Sequence, residues 1–147
     1  LVTRVPETAY FDSVTSFAMA RGGHVTSIVL GGFQVTPAGD LANWNVPATG
    51  VGGIGGAMDL AAGGGRVIVI MYQRDREGHS KLVPALTYPA TALGCVRDVV
   101  TDMAYLTVEA DGFVLREVAP GLTVDDVRAA SAAPFRVATD LREMPFS

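Results

Sequence analysis

Stretches of two different periodicities alternate along the chain. Residues 13–19 and 56–62 have helix-forming composition, and a run of glycines ends each of them. Residues 24–30 and 66–72 are rich in β-branched side chains and predict strands. The second of these strands is almost continuously apolar, which is typical of a central parallel strand covered on both faces. Helices and strands that alternate at this spacing favour an α/β domain.

Shorter strands are expected in the second half of the chain, at residues 82–88, 104–109 and 113–118. Asp111 and Gly112 form a turn signal between the last two strands. The sequence therefore predicts a β-hairpin near the C-terminus.

A final helix and a long loop complete the expected organisation. Thr123 followed by Asp126 is a helix-capping pattern, so the helix should begin near Thr123 and end before Pro134. Residues 33–54 are rich in proline, asparagine and glycine, and long loops of this kind are often functional. There is no linker, low-complexity segment or internal repeat, so a single domain over residues 1–147 is predicted.

Composition and charge argue against several kinds of partner. The 147 residues are 49% hydrophobic and carry a net charge of −4, which suits one folded domain. The basic residues are scattered, so neither a nucleic acid nor a membrane surface is an expected partner. The densest apolar run, residues 67–72, is far shorter than the roughly 20 residues that cross a bilayer. With a single cysteine, Cys95, and no recognisable signal peptide, a cytoplasmic location is expected.

The strongest candidate for chemistry is a glycine-dense turn that leads into the second predicted helix. Gly55, Gly56 and Ala57 lack bulky side chains, so a ligand can approach their backbone amides closely. The start of a helix also collects unpaired N–H donors and the positive end of the helix dipole. The turn is therefore predicted to bind an anion or a developing oxyanion.

A dinucleotide-binding site and a metal site are less consistent with the sequence. Residues 50–55 match G-x-G-x-x-G and Asp75 follows at a suitable distance, as in a dinucleotide-binding fingerprint. However, residues 40–49 contain asparagines and a proline where that fingerprint requires a strand. His24 and His79 lie in no Cys/His ligand pattern, so no metal site is predicted.

Several short motifs, taken together and in order, resemble the beta subunit of the 3-oxoacid and 3-oxoadipate CoA-transferases. The similarity spans essentially the whole chain. The motifs are Phe11-Asp12-Ser13, Ser16-Phe17-Ala18-Met19, Arg21-Gly22-Gly23-His24, Gln34-Val35, Leu41-Ala42-Asn43-Trp44, Gly55-Gly56-Ala57-Met58-Asp59-Leu60, Thr101-Asp102, Gly121-Leu122-Thr123 and Ala133-Pro134-Phe135.

The resemblance implies a fold, a reaction and a partner. The fold is a three-layer α/β/α sandwich with a mostly parallel sheet. The reaction moves coenzyme A between a carboxylic acid, such as succinate, and a 3-oxoacid, such as acetoacetate or 3-oxoadipate, through a glutamyl-CoA thioester. Coenzyme A thioesters are substrates, and no cofactor is held permanently. An alpha subunit is the expected partner in a hetero-oligomer, and it should cover a large apolar face of this chain.

The same resemblance assigns roles to individual residues. The backbone N–H groups of Gly55, Gly56 and Ala57 would stabilise the oxyanion. Gln34, Asn43 and Gly53 are candidates for binding substrate or coenzyme A. The nucleophilic glutamate of the family lies in a Ser-Glu-x-Gly segment, and no such segment occurs in these residues. Because the chain also begins at Leu1 without a methionine, we expect an N-terminally incomplete domain that is inactive alone.

The chain departs from the family pattern at five positions, and these leave the donor and acceptor acids open. They are Thr26, Thr49, Gly52, Tyr72 and Gln73. Fewer cations near the glycine turn would weaken the attraction for anionic substrates. The alternative is therefore a non-catalytic or hydrolytic relative that binds acyl-CoA without glutamyl transfer.

Overall fold

The computed structural model describes residues 5–47, 51–53 and 55–145. Within them lie three helices, α1 (Ser13–Arg21), α2 (Ala57–Ala61) and α3 (Val124–Ala129). The strands are β1 (Ser27–Gly31), β2 (Gln34–Val35), β3 (Leu41–Ala42), β4 (Asn45–Val46), β5 (Val51–Gly52), β6 (Arg66–Ile70), β7 (Val96–Val100), β8 (Ala104–Glu109), β9 (Gly112–Val118) and β10 (Phe135–Glu143).

One six-stranded sheet organises the chain, in the order β1-β6-β7-β8-β9-β10. Strands β1, β6 and β7 run parallel, as do β9 and β10, whereas β8 is antiparallel to both of its neighbours. The hairpin β8–β9 turns at the pair of Glu109 and Gly112, as predicted. The predicted α/β class with a mostly parallel sheet is confirmed. The long loop contains two small antiparallel ladders, β2–β3 and β4–β5.

Helices α1 and α3 begin where their capping residues predict. The Asp12 carboxylate accepts a hydrogen bond from the Thr15 N–H at 2.7 Å, which satisfies one free amide of α1. Thr123 and Asp126 form a reciprocal capping box at the start of α3. None of the helices in the described part of the chain has the length and hydropathy of a membrane span.

The hydrophobic core lies on one face of the sheet. Val67 and Val69 of β6 are buried there beside Leu106 of β8, and Val127 of α3 packs into the same cluster. Full burial of a side chain of this size contributes about 1.5–3 kcal/mol. The long loop closes the cluster, because its Leu41 is also fully buried.

The opposite face of the parallel strands is open. Val29 of β1 is 58% exposed and Ile70 of β6 is 53% exposed, since alternate residues of a strand point to opposite faces. The expectation that residues 66–72 are covered on both faces is therefore wrong for this chain. Helix α3 and the long loop both pack on the side of Val69, so these segments leave the other side uncovered.

One further strand prediction needs correction. Residues 82–88 form no strand, and Leu82 makes only a single bridge to Val35. Pro84 within this segment has no N–H to donate to a ladder. Helix α3 ends at Ala129, before Pro134 as predicted, and the chain leaves it through the Ala130 cap.

Two strands of the six-stranded sheet were not predicted. Strand β7 contains Arg97 and Asp98, whose charges obscure its apolar alternation. Strand β10 follows α3 and pairs with β9, but its register shifts between Val137 and Arg142, which breaks the alternation of buried and exposed side chains.

Candidate functional site

A cavity of about 790 Å³ opens at the carboxyl ends of β1, β6 and β7. We call it the strand-end cavity. Open α/β sheets bind their ligands at this edge, because the loops that leave the parallel strands converge there. Phe33, Ile70 and Val100 form apolar parts of its wall, and Asn43 and Lys81 contribute polar groups.

Close backbone packing shapes one side of the cavity. A side chain at Gly32 would place its Cβ 2.6 Å from Val69 Cγ1 and 3.2 Å from Met71 Sδ, so none fits there. The Gly32 carbonyl instead accepts a hydrogen bond from Lys81 Nζ at 3.3 Å. A loop residue far along the sequence is therefore held against the end of β1.

The chain brings Lys81 to the cavity by reversing direction after β6. The Asp75 carboxylate accepts hydrogen bonds from the N–H groups of Glu77 and His79, and Gly78 has a φ of 88° that favours glycine. The Lys81 N–H then donates to the Gln73 carbonyl at 3.0 Å.

Sequence reasoning missed Lys81 as a site residue. The turn residues Asp75 and Gly78 after a predicted strand were the signal that the chain doubles back. Burial lowers the pKa of the Lys81 amine. In the described ranges, no carboxylate lies within ion-pair distance of it.

The acidic turn that precedes Lys81 has a structural explanation. Ligand atoms of Asp75, Glu77 and His79 lie within 4.8 Å of one another, and the last two side chains are exposed. The Asp75 carboxylate is used by backbone amides of its own turn. These hydrogen bonds are sufficient to account for the cluster.

Asn43, a predicted binding residue, lies in the wall of the strand-end cavity. Its side-chain amide donates to the Gly31 carbonyl at 3.1 Å, and its Oδ1 accepts from Thr91 Oγ1 at 2.7 Å. The side chain is therefore held in one orientation at the edge of the cavity.

Gln34, the other predicted amide, lies elsewhere. It is buried, and its Oε1 accepts hydrogen bonds from the N–H groups of Thr87 and Tyr88 at 2.9 and 3.2 Å. Its Nε2 donates to Thr87 Oγ1 at 2.7 Å. These bonds anchor the segment after Leu82, and Gln34 does not belong to the lining of the strand-end cavity.

The predicted oxyanion residues 55–57 and the predicted binding residue Gly53 lie in one segment, which we call the glycine turn. The Gly53 N–H donates to the Trp44 carbonyl at 3.2 Å. The N–H groups of residues 55–57 donate to no other described residue. Gly55 is exposed, and Ala57 is the first residue of α2. Among the described residues, these three N–H groups therefore have no acceptor, and Gly55 faces solvent.

The glycine turn and the strand-end cavity are neighbours along the loop. Asn43 lines the cavity, and the next residue, Trp44, bonds to Gly53 of the turn. Residues 55–57 are not part of the cavity wall.

Gly56 packs closely against helix α1. A Cβ at this position would overlap the ring of Phe17, whereas a Cβ at Gly55 would meet nothing within 4 Å. We therefore expect Gly56→Ala to lower the free energy of unfolding by about 1–3 kcal/mol, as overpacking typically does. Urea unfolding of Gly56→Ala measures this loss, with Gly55→Ala as the control. Adding Phe17→Leu to Gly56→Ala should relieve the overlap. Equal stability of the two alanine variants would contradict the packing.

The family departures fall into different environments. Tyr72 is 71% exposed at the cavity wall. Thr26 is exposed, and its carbonyl accepts the Arg66 N–H at 2.9 Å. Gly52 pairs with Asn45 in the β4–β5 ladder. Thr49 lies outside the described residues.

Gln73 is the departure with an unusual environment. It is 1% exposed, and its Nε2 donates to Ser131 Oγ at 2.8 Å. Its Oε1 has no hydrogen-bond partner among the described residues. Its backbone N–H donates to the Asp102 carboxylate at 2.7 Å, which links it to the cavity wall.

Comparison with known proteins identifies the family. The sequence profile of the coenzyme A transferase family matches residues 1–130. The chain belongs to this family of enzymes. The resemblance seen in the sequence motifs is thereby confirmed.

Two curated relatives illustrate the similarity. The beta subunit of a probable coenzyme A transferase from Bacillus subtilis is 42% identical over 146 residues, which are 99% of this chain and 65% of that protein. A 3-oxoadipate CoA-transferase subunit from Pseudomonas putida is 43% identical over 134 residues, which are 90% of this chain and 63% of that protein. The chain spans somewhat less than two thirds of the length of these relatives.

A solved structure shows the shared fold. The acyl-CoA transferase YdiF of E. coli O157:H7, in a thioester complex with CoA, superposes with a TM-score of 0.81 at 21% identity. The match covers 99% of this chain and 33% of that one. The 147-residue chain therefore has the same sheet arrangement as that solved transferase.

Proposed function

We propose that this chain works as the beta-type part of a CoA-transferase, moving coenzyme A between a carboxylic acid such as succinate and a 3-oxoacid such as acetoacetate or 3-oxoadipate. The observation that carries the proposal is the glycine turn at the start of α2, where the N–H groups of residues 55–57 have no acceptor among the described residues. Relatives named as 3-oxoadipate, succinyl-CoA:3-ketoacid and acetate CoA-transferase subunits support it.

The proposed reaction proceeds through covalent intermediates. A glutamate oxygen attacks the thioester carbonyl carbon, a tetrahedral oxyanion forms, and the C–S bond breaks to release CoA thiolate and leave a mixed anhydride. The thiolate then attacks the glutamyl carbonyl, so the first acid leaves as its carboxylate and a glutamyl thioester remains. The acceptor acid reverses these steps and leaves as the new acyl-CoA.

The role that we propose for the glycine turn is to bind the oxyanion. Each step passes through a tetrahedral centre with a negative oxygen, and the N–H groups of Gly55, Gly56 and Ala57 are donors of the required kind. One such donor typically lowers the barrier by about 3 kcal/mol. The nucleophilic glutamate is supplied from outside these 147 residues, since they contain no Ser-Glu-x-Gly segment.

A second protein chain completes the proposed enzyme. The open face of the sheet exposes Val29, Ile70 and Tyr72, and apolar exposure on this scale is typical of an interface. We propose that an alpha-type subunit covers this chain in a hetero-oligomer. The free thiol of Cys95 is compatible with the cytoplasm as the location.

Trapping of the covalent intermediate tests the proposed function. The assembled transferase is incubated with acyl-CoA and examined by mass spectrometry of the intact polypeptides. A CoA adduct that disappears when acceptor acid is added supports transfer. Thioester hydrolysis with no adduct would overturn transfer and favour the hydrolytic alternative, and neither adduct nor hydrolysis would favour a non-catalytic relative.

A further inference from the structure

Lys81 has an unusual environment within the strand-end cavity. It is half-buried, it is the only lysine among these 147 residues, and it lines the cavity. The one hydrogen bond that it makes within the described ranges is to an uncharged acceptor, the Gly32 carbonyl, at 3.3 Å. An ammonium group has three donors, so two of them remain available to a ligand.

The surroundings of Lys81 favour an anion. Burial lowers the pKa of its amine because the charged form has lost part of its hydration, and the negative charges of Asp75 and Asp102 offset this only in part. A bound anion would restore further favourable interactions to the charged form. The nearby Asp102 is exposed, and its Oδ1 already accepts the Gln73 N–H at 2.7 Å. It makes no ion pair with Lys81 among the described residues.

The shape and polarity of the cavity narrow the class of anion. Its volume of about 790 Å³ is typical of a small-molecule site. Phe33, Ile70 and Val100 line it, so a short carbon chain can be buried beside the ammonium group. A single cation next to the Asp102 carboxylate suits one carboxylate group of an acid better than a phosphate of higher charge.

We propose that the strand-end cavity binds the free carboxylic acid substrate, with Lys81 as the residue that holds its carboxylate. The acid's carbon chain lies against the apolar wall, and Asn43 lies at the cavity edge next to the loop that leads to the glycine turn. This assignment rests on the proposed transferase function, because it places one of the two substrates of that reaction.

Kinetics of the assembled transferase test the role of Lys81. Lys81→Met should raise KM for the free acid about 10- to 100-fold, as expected for loss of a charge-assisted hydrogen bond, with KM for acyl-CoA nearly unchanged. Lys81→Arg, which keeps the charge, should restore much of the affinity. The matched control is Arg76→Met, which removes one exposed cation from the same segment outside the cavity wall and should change neither constant.

Three kinetic outcomes would overturn the assignment. Equal changes in both KM values, or a loss of kcat alone, would mean that Lys81 supports the Gly32 backbone rather than a substrate. If Lys81→Met raised KM for the CoA substrate but not for the dephospho-CoA substrate, Lys81 would bind a phosphate of CoA instead.

A binding measurement separates this assignment from the transferase function. Lys81 is the only lysine among these 147 residues, and comparison of ¹⁵N-lysine-labelled wild type with Lys81→Met identifies its Nζ resonance in the assembled protein. Butyrate should shift it saturably in the assembled protein, whereas the neutral butyramide and inorganic phosphate should not. A shift without any transferase turnover would support carboxylate binding in the strand-end cavity and overturn the proposed function. Turnover with no shift at saturating butyrate would overturn the proposal that the cavity binds the acid.

Discussion

Replacement of Ala57 by proline is expected to lower kcat of the assembled transferase about 100- to 1,000-fold, the usual effect of removing one oxyanion donor. Ala57 is the first residue of α2, and its N–H bonds to no other described residue. Proline is favoured at this helix position because the missing N–H is not needed by the helix. Gly56 has no Cβ to collide with the proline ring, which removes one of the two contacts that restrict a residue before proline.

The matched control for this variant is Ala57→Ser, which changes the side chain and keeps the donor. Steady-state kinetics of both variants measure the effect, and thermal unfolding checks that each is folded. Wild-type turnover by a folded Ala57→Pro enzyme would show that the N–H of residue 57 does not bind the oxyanion. A similar loss in Ala57→Ser would assign the effect to the side chain instead.

Asp98→Asn is expected to lower the free energy of unfolding by about 1.5–3 kcal/mol, the range for hydrogen bonds to charged groups. Asp98 lies in β7 and is 2% exposed. Its carboxylate accepts hydrogen bonds from the Arg66 guanidinium through both oxygens and from the Tyr105 hydroxyl at 2.7 Å. An asparagine would point N–H donors at the Arg66 donors and lose the ion pair.

The pH dependence of stability gives a second readout for Asp98. Burial raises the pKa of the Asp98 carboxyl, but hydrogen bonds from Arg66 and Tyr105 and the charge of Arg66 outweigh burial, so the net pKa is below its ordinary value. A lowered folded pKa contributes stability above the unfolded pKa of about 4, and that stability disappears as pH falls through the folded value.

Urea unfolding at several pH values should therefore show a gap between wild type and Asp98→Asn that is constant above about pH 5 and shrinks as the pH falls below 4. The control is Asp111→Asn, because Asp111 is exposed and solvent screens its bonds to Arg136. A gap of the same size at every pH, or an equal loss in Asp111→Asn, would contradict the role of the buried carboxylate.

Features that depend on neighbouring residues were predictable from the sequence. Asp12 caps α1 through Thr15, Thr123 and Asp126 start α3, and the hairpin turns just before Gly112. Each involves residues only a few positions apart, so local hydrogen-bond chemistry is enough to predict them. The family was also recognisable, because its motifs extend over most of the chain in a specific order.

Features that depend on pairing across the sheet were not predictable in the same way. Strand β7 holds the charged Asp98 because Arg66 of the neighbouring β6 neutralises it. Residues 82–88 have strand-like composition, yet the Gln34 side chain holds part of this segment as a loop. In both cases the deciding contact comes from a residue far away in the chain.

The candidate site shows the same division. The sequence by itself determined the α/β class, the helix caps, the hairpin and the glycine turn before α2, because glycine content and capping patterns act over a few residues. Only the tertiary structure decided that one face of β6 is open, that Gln34 anchors a loop, and that Lys81 meets Gly32 at the end of β1. Those contacts arise from the spatial arrangement of strands and loops that are distant in the sequence, and no local pattern contains that information.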